Sequence, residues 1–328
     1  MNRIEEACLI FNPVSGQREP EQDLEIIRRI LEPEITLDIR FTTEEKGADE
    51  IAREAIAQGA KAIIASGGDG TLSAAASALV GTDIPLGVIS RGTANAFASA
   101  LDLPDTVEAA CEAILGGVTR VVDAARCNGL PMVLLAGIGF EAETVDRADR
   151  QAKKRFGVLA YVMAGIQELR ELESFEAEIE IEDKIVTVTA VSLTVANAAP
   201  PTSVLAQGPA GVNFEDGLLD ITVVSPVSRA GAIAATYHLL QTALNENATD
   251  RDDIGYLRTK RVIIRTDPPQ KVVLDGEIIG NTPIDVESVP QGLTIFVPKD
   301  ALPDAPVEKL EGLPGLKVES KPAAGFEE

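Results

Sequence analysis

The chain has no tryptophan, one histidine, three cysteines and no hydrophobic run long enough to cross a bilayer. Each shortage removes a class of protein. With aromatics at only 4%, the core must be built mostly from Val, Ile, Leu and Ala. His238 lies in a helical-looking run at 230–244, where it suits a helix surface or core, so histidine-centred catalytic triads are not expected. Cys8, Cys111 and Cys127 are odd in number and scattered. That pattern matches neither a disulfide framework nor zinc spacing, and it fits a reducing cytosol. The longest apolar run, 130–140, contains Pro131 and two glycines, well short of the roughly 20 residues of a membrane helix. The opening residues, Met1 to Glu6, do not form a signal peptide. Basic residues are also scarce, 29 against 52 acidic, for a net charge of −23. Nucleic acid binding rests on basic surface, so it is excluded as a partner class. A broad electrostatic grip on an anionic membrane is excluded by the same argument.

What is present fits a globular protein of two domains, given 328 residues. The first 123 residues alternate in type. Apolar runs at 7–11, 35–41, 60–65 and 85–89 read as strands, with helical patterns at 21–31, 48–58 and 72–80 between them. This βαβα order predicts an α/β domain with a mostly parallel sheet covered by helices. A further helix is expected at 106–115 and a strand at 118–123. From residue 124 onward β signals dominate. Strands are expected at 175–182, 185–195, 219–224, 261–266, 271–274, 284–286 and 293–297. They imply a mainly antiparallel β domain over 124–299, a sandwich or a distorted barrel. Two helical segments, 141–150 and 156–172, interrupt it. In the second, Phe156, Leu159, Met163, Ile166 and Leu169 form a core-facing stripe. Glu176, Glu178, Glu180 and Glu182 fall on one face of an alternating strand and read as solvated. Residues 300–328 carry Pro, Glu and Gly without periodicity and are expected to be a mobile tail.

Ligands bind such parallel sheets at the carboxyl ends of the strands. Gly67-Gly68-Asp69-Gly70-Thr71 sits there, between a strand run and a helix run. A helix N-terminus offers unpaired N–H groups and the positive end of the backbone dipole, which suit a phosphate. Glycines remove the Cβ atoms that would keep a phosphate off the backbone. Asp69 beside a phosphate is repulsive unless the two share a hard cation such as Mg²⁺. Thr71 is placed to cap the helix or bond the phosphate. The same residues also suit a plain strand–helix turn. A second glycine loop, Ser90-Arg91-Gly92-Thr93-Ala94-Asn95, follows the next strand. There Asn95 is a candidate helix cap or nucleotide contact, and Arg91 a candidate phosphate partner. Downstream, Asp275-Gly276-Glu277 is either a hairpin turn or an acidic pair that supplies a base. Asn213 to Asp220 is either a turn or an oxygen-rich cation site. The basic cluster Arg147, Arg150, Lys153, Lys154 and Arg155 is either a solvated helix face or a small headgroup-docking patch.

Six motifs in order make the pattern specific: Asn12 to Gly16, Gly67 to Thr71, Gly92 to Asn95, Gly137 to Phe140, Asp216 to Asp220, and Asp275 to Glu277. Together they resemble the bacterial diacylglycerol kinase-type lipid kinases, a family that includes sphingosine and ceramide kinases, over about residues 7–298. The resemblance implies a Rossmann-like α/β N-terminal domain, of NAD kinase and diacylglycerol kinase type, and a β-sandwich C-terminal domain with the active site between them. It implies an ATP- and Mg²⁺-dependent kinase acting on a lipid hydroxyl, most plausibly that of diacylglycerol. Carried over by position, Asn12, Thr43, Gly67, Gly68, Asp69, Gly70, Thr71, Leu72, Ser73, Thr93 and Asn95 would bind the nucleotide. Asp69 would lie near the metal, Glu277 would accept the proton, and Asp275 would assist it. Asn213, Asp216 and Leu218 would hold a structural Mg²⁺, the first and last through backbone carbonyls, with Asp123 orienting that network. Gln17 stands where many members carry Lys or Arg, and Ala96 where many carry Asp. The expected setting is cytoplasmic, peripheral at the inner membrane face, and a homodimer is common for such folds. Two other readings stay open: a kinase of a soluble acceptor such as NAD or a sugar phosphate, and a weakly catalytic nucleotide-binding regulator.

Overall fold

The computed structural model describes residues 4–16, 19–93, 95–139, 174–200, 206, 211–225, 253–298 and 317–320. The N-terminal part alternates β1 (Glu6–Phe11), α1 (Pro20–Leu31), β2 (Thr36–Phe41), α2 (Ala48–Ala57), β3 (Ile63–Gly67), α3 (Asp69–Leu79), β4 (Leu86–Ser90), α4 (Ala96–Ala100) and α5 (Val107–Gly116). The four strands are parallel, in spatial order β4-β3-β1-β2. One sheet face buries Ile27 and Leu31 of α1 with Val107, Cys111 and Ile114 of α5. The other buries Ile51 and Ala55 of α2 with Leu72, Ala75 and Leu79 of α3. Local chemistry sets the helix ends. Pro20 opens α1, and the Thr106 hydroxyl caps α5 by accepting from Ala109 N at 3.3 Å. Gly117, at φ +61°, closes α5.

This strand order reverses direction between β1 and β3, which opens a crevice at their carboxyl ends. The loops that follow β1 and β3 flank that crevice.

The C-terminal part is a sandwich. β5 (Thr119–Cys127), β6 (Leu130–Met132), β8 (Phe175–Glu180), β9 (Lys184–Ala190), β13 (Arg261–Asp267) and β16 (Ile284–Phe296) pair antiparallel with one another and extend the N-terminal sheet through a parallel contact of β16 with β4. The second sheet runs β12 (Ile254–Thr259), β11 (Leu219–Val224), β10 (Ser192–Ala196), β7 (Leu135–Gly139), β14 (Lys271–Leu274), β15 (Glu277–Asn281). Between the sheets lies an apolar core that includes Ile138, Phe175, Val188, Val195, Ile221, Leu257 and Val286. β16 is the seam. It pairs with β5 and β13 and, at Ile295 opposite Leu86, with β4. β5 itself runs through residues 123 and 124, so the strand that leaves the α/β layer enters the sandwich without a break.

Several elements differ from the sequence reading. The strand expected at 185–195 is two strands in different sheets. The chain turns at Val191, whose N–H donates to Val224 O of the second sheet at 2.9 Å. The sequence marks this corner by a change of phase: the apolar positions run Val186, Val188, Ala190 before it and Val191, Leu193, Val195 after it. The segments 284–286 and 293–297 belong to one strand, β16, interrupted by a register shift between Val289 and Leu293. Within the tail expected to be mobile, Lys317–Ser320 forms β17, which pairs antiparallel with β9. The helices expected at 141–150, 156–172 and 230–244 lie outside the described residues, as does the basic cluster. The solvated glutamate face agrees with the structure: Glu178 and Glu180 both pair with Arg265 at 2.9 Å on the exposed side of β8 and β13.

Gly139 of the second sheet lies close against Phe175 of the first. Its φ is +74°, and a Cβ there would lie 2.6 Å from Phe175 Cε1 and 2.7 Å from Val191 O. Gly139→Ala is therefore expected to cost about 3 kcal/mol through left-handed strain and overpacking. Urea unfolding would register this as a lower midpoint at unchanged slope; an unchanged midpoint would contradict the packing described.

Candidate active site

Three polar loops meet at the carboxyl edge of the parallel strands. The turn after β3 starts a helix earlier than the sequence suggests. α3 begins at Asp69, with Gly68 as an extended N-cap at φ −85° and ψ 176°. Thr71 is therefore inside the first turn and is not the cap. Its Oγ1 instead accepts from Asn12 Nδ2 at 2.8 Å. Asn12 also donates its N–H to Ser66 O at 2.9 Å, and its Oδ1 accepts from Val14 N at 3.1 Å. One side chain thus joins the first loop to the glycine turn. Gly67 must lack a Cβ, because one would sit 2.7 Å from Thr71 Cβ. Gly70 faces open space, with nothing within 4 Å of its Cβ position. The first N–H groups of a helix have no intrahelical acceptor, so this end of α3 is an open cradle for an anion.

The second glycine loop packs directly on the first. A Cβ on Gly92 would lie 3.2 Å from Gly68 Cα and 3.0 Å from Asn95 Oδ1. Asp69 reaches across, and its Oδ1 accepts from Phe97 N at 2.9 Å. Asp69 therefore caps α4, the role that sequence reasoning gave to Asn95. Asn95 is left-handed at φ 49°, makes no side-chain cap bond, and keeps its buried Oδ1 without a partner among the described residues. That orphaned acceptor, aimed into the junction of two glycine loops, fits a donor on a bound nucleotide. Thr93 is exposed beside it. Thr43 is exposed too, in a turn where its Oγ1 accepts from Lys46 N at 3.0 Å. Leu72 and Ser73 are buried. Leu72 is fully buried in the core under α3, and Ser73 is 6% exposed with its Oγ unpartnered among the described residues.

Arg91 is not available to a phosphate. It is 5% exposed, and its guanidinium stacks 4.0 Å from the centroid of the Phe11 ring. It donates to Ser66 Oγ at 3.0 Å, Ser15 O at 3.0 Å and Asp23 Oδ2 at 3.3 Å, and also to Asn12 O. It braces the first loop from beneath, joining β1, α1, β3 and β4. Burial lowers its pKa, and the bond to Asp23 acts in the opposite direction.

The acidic turn approaches α3 from the second sheet. Asp275, at φ 47°, connects β14 to β15. Its Oδ2 accepts from Val133 N at 2.8 Å, and its Oδ1 from Leu134 N and Leu135 N at 2.9 Å each. Its own N–H donates to Leu135 O at 2.9 Å. Val133 and Leu134 in turn pack with Leu72, Ala75, Ala76 and Phe97 in one buried cluster. The turn that carries Glu277 is thereby fastened to the helix whose N-terminus forms the cradle. Glu277 itself is exposed. Burial pushes the Asp275 carboxyl up to about 6, outweighing its three N–H donors.

Asp123 is a second clamp, 2% exposed, where β5 crosses between the layers. Its carboxylate accepts from Gly217 N at 2.6 Å and Gln291 N at 2.8 Å. Its backbone takes Asn197 Nδ2 at 3.0 Å and donates to Phe214 O at 2.7 Å. The loop it holds contains Asn213, Asp216 and Leu218, the residues expected to carry a structural cation. There Asn213 Oδ1 accepts from Glu215 N at 3.0 Å, Asp216 Oδ1 accepts from Leu218 N at 3.0 Å, and Asp216 Oδ2 is paired with Arg258. The one carboxylate of this donor set already faces a guanidinium, whose positive charge opposes a divalent ion there, so the set does not fit one. Sequence reasoning missed Arg258, which lies in an unremarked strand. It also missed Asn197, whose signal is a lone amide within the buried run 195–199.

Comparison with known proteins agrees with this architecture. Residues 6–127 match the model of the diacylglycerol kinase catalytic domain, and 135–297 that of the YegS C-terminal NAD kinase beta sandwich-like domain. An uncharacterized protein of Synechocystis is 49% identical over 88% of this chain and 70% of its own length. A Xanthomonas oryzae protein named probable lipid kinase YegS-like is 30% identical over 88% of this chain and 95% of its own. A Bacillus subtilis diacylglycerol kinase is 27% identical over 90% and 98%. The crystal structure of a Bacillus anthracis diacylglycerol kinase superposes with a TM-score of 0.70 at 23% identity, covering 91% of this chain and 99% of that one. That likeness bears on the fold.

The Asp275 clamp has a pH signature. Its folded pKa, about 6, lies above the usual carboxylate range, so this carboxyl favours folding when protonated. Its contribution to stability is greatest at acid pH and is lost as pH rises through about 6. Protonation at Oδ2 weakens the bond from Val133 N and leaves Oδ1 to accept from Leu134 N and Leu135 N. Turnover is expected to fall as pH drops through about 6, with no loosening of the fold from this group. A pH–rate profile beside a pH–stability series checks both limbs.

Proposed function

The chain belongs to the lipid kinase family that includes the diacylglycerol kinases and the YegS-like proteins, and on that premise we propose that it transfers the γ-phosphoryl group of ATP to a lipid hydroxyl, most plausibly that of diacylglycerol. The observation that carries the reading is the fastening of the Glu277 turn, through Asp275, to the helix that opens at the glycine cradle.

Phosphoryl transfer is mostly positioning and charge stabilisation. The N–H groups at the start of α3 bind the nucleotide phosphates and hold the transferring group in line. Asn95 Oδ1 accepts a hydrogen bond from the nucleotide, and the Gly68–Gly92 contact keeps the two loops at one spacing. Glu277 takes the proton of the acceptor hydroxyl, and Asp275 holds the turn that aims it. Mg²⁺ bound with ATP supplies neutralisation of the phosphate charge. Asp69 is the carboxylate that would hold it, from a side chain whose rotamer is already fixed by Phe97 N. The acceptor is reached at a membrane surface by peripheral contact. Among the described residues no helix is long and apolar enough to cross a membrane.

The test is ADP release with ATP and Mg²⁺ in mixed micelles of diacylglycerol, monoacylglycerol, ceramide or sphingosine, beside NAD and sugar phosphates without lipid. Stimulation by one lipid is expected. It should drop by about 10²–10⁴-fold in Glu277→Gln, with ATP affinity retained. Stimulation by a soluble acceptor alone would replace the lipid reading. Normal turnover in Glu277→Gln would remove the base assignment.

A further inference from the structure

Arg258 lies opposite Asp220 in the β11–β12 pairing, and its guanidinium faces two carboxylates. Its Nε is 2.9 Å from Asp220 Oδ1, and its Nη2 donates to Asp216 Oδ2. Tyr256 donates its hydroxyl to Asp220 Oδ1. The group is enclosed, with side chains 11% exposed for Arg258, 21% for Asp216 and 0% for Asp220. The same loop is held by Asp123 at Gly217 N and by the Arg120–Glu215 pair at 3.1 Å. Among the described residues there is no group of three or more Asp, Glu, His or Cys side chains placed to hold a metal ion.

We propose that Arg258 is the resident counter-cation of the loop from Asn213 to Leu218, supplying the positive charge that a divalent ion would otherwise supply there, so that the loop orders without metal. Three observations carry this. Both oxygens of Asp216 are in use, one by Leu218 N and one by Arg258. Asp220 is directly across the ladder from Arg258, which fixes the guanidinium from its other side. A divalent ion on Asp216 would sit within a few ångströms of that guanidinium, where like charges in an enclosed site repel strongly. Mg²⁺ also demands near-ideal octahedral geometry and several waters of its own, whereas a planar guanidinium matches carboxylates through fixed donors. The C-terminal loop therefore has no metal requirement of its own, and any divalent requirement of the protein belongs to the nucleotide.

The test uses the full chain with neither nucleotide nor lipid, so it stands apart from the kinase reading. Thermal melting is followed in EDTA and then in excess MgCl₂ for the wild type, Asp216→Asn and Arg258→Gln. The wild type is expected to melt at one temperature in both conditions. Arg258→Gln should melt several degrees lower in EDTA and recover part of that loss in MgCl₂, because removing the guanidinium leaves two acidic groups to share a cation. A saturable rise in wild-type melting temperature on adding MgCl₂, abolished by Asp216→Asn, would overturn the proposal. So would an Arg258→Gln protein that melts with the wild type in EDTA. Should Arg258→Gln fail to fold, Mn²⁺ binding to the wild type by electron paramagnetic resonance decides. No bound ion that depends on Asp216 supports the proposal, and one that Asp216→Asn removes contradicts it.

Discussion

A single buried carboxylate fixes the relation between the two halves of the candidate site. Asp275 accepts from three consecutive backbone N–H groups, at Val133, Leu134 and Leu135. Val133 and Leu134 connect β6 to β7, which Leu135 begins, and the two connector residues pack in one cluster with Leu72, Ala75 and Ala76 of α3. Without that grip, the β14–β15 turn would be an ordinary hairpin tip at the edge of the second sheet, free to fray. With it, the carboxylate of Glu277 is tied by a short chain of buried contacts to the helix start where an anion would lie. A charge-assisted bond to a backbone N–H is among the stronger kinds, and losing the acceptor would leave three donors to satisfy at once.

The same principle recurs around the crevice: charged side chains serve backbone groups. Asp69 holds Phe97 N, Asp123 holds Gly217 N and Gln291 N, and Arg91 holds two carbonyls of the first loop. Loops carry ligands, but they are mobile unless a rigid scaffold positions them. Here the scaffold reaches into the loops through side chains. The glycines bring the backbones together, and the ionic side chains keep them there. The large acidic surplus of the chain is not spread evenly as solvated surface. Asp69, Asp123, Asp216, Asp220 and Asp275 all have inward-facing partners.

Much of the α/β half was legible because its signals are local. A strand run, a glycine turn and a helix run occupy one contiguous stretch, and their alternation implies a mostly parallel sheet. The motif series likewise located the acidic turn and the two glycine loops. What could not be read was partnership across the chain. Arg91 looks like a phosphate ligand until Asp23, 68 residues away, is seen beside it. Asp216 looks like a cation ligand until Arg258 is seen on the next strand. Thr71 and Asn95 both look like helix caps, yet helix α3 begins three residues early and Asp69 takes the cap of α4. The corner at Val191 does leave a local mark, a one-residue shift in the Val–Thr alternation at Ala190–Val191, which a reading of 185–195 as one strand passes over.

The most direct test of the account is to replace Asp275 by Asn, which keeps the shape but turns one acceptor into a donor facing an N–H. Amide hydrogen exchange at Val133, Leu134 and Leu135 would be measured together with ATP affinity and lipid-stimulated turnover. The account predicts faster exchange at those three amides, ATP affinity near that of the parent, and a large loss of turnover. Full turnover alongside unprotected amides would contradict it, because the Glu277 turn would then be aimed by something other than this clamp.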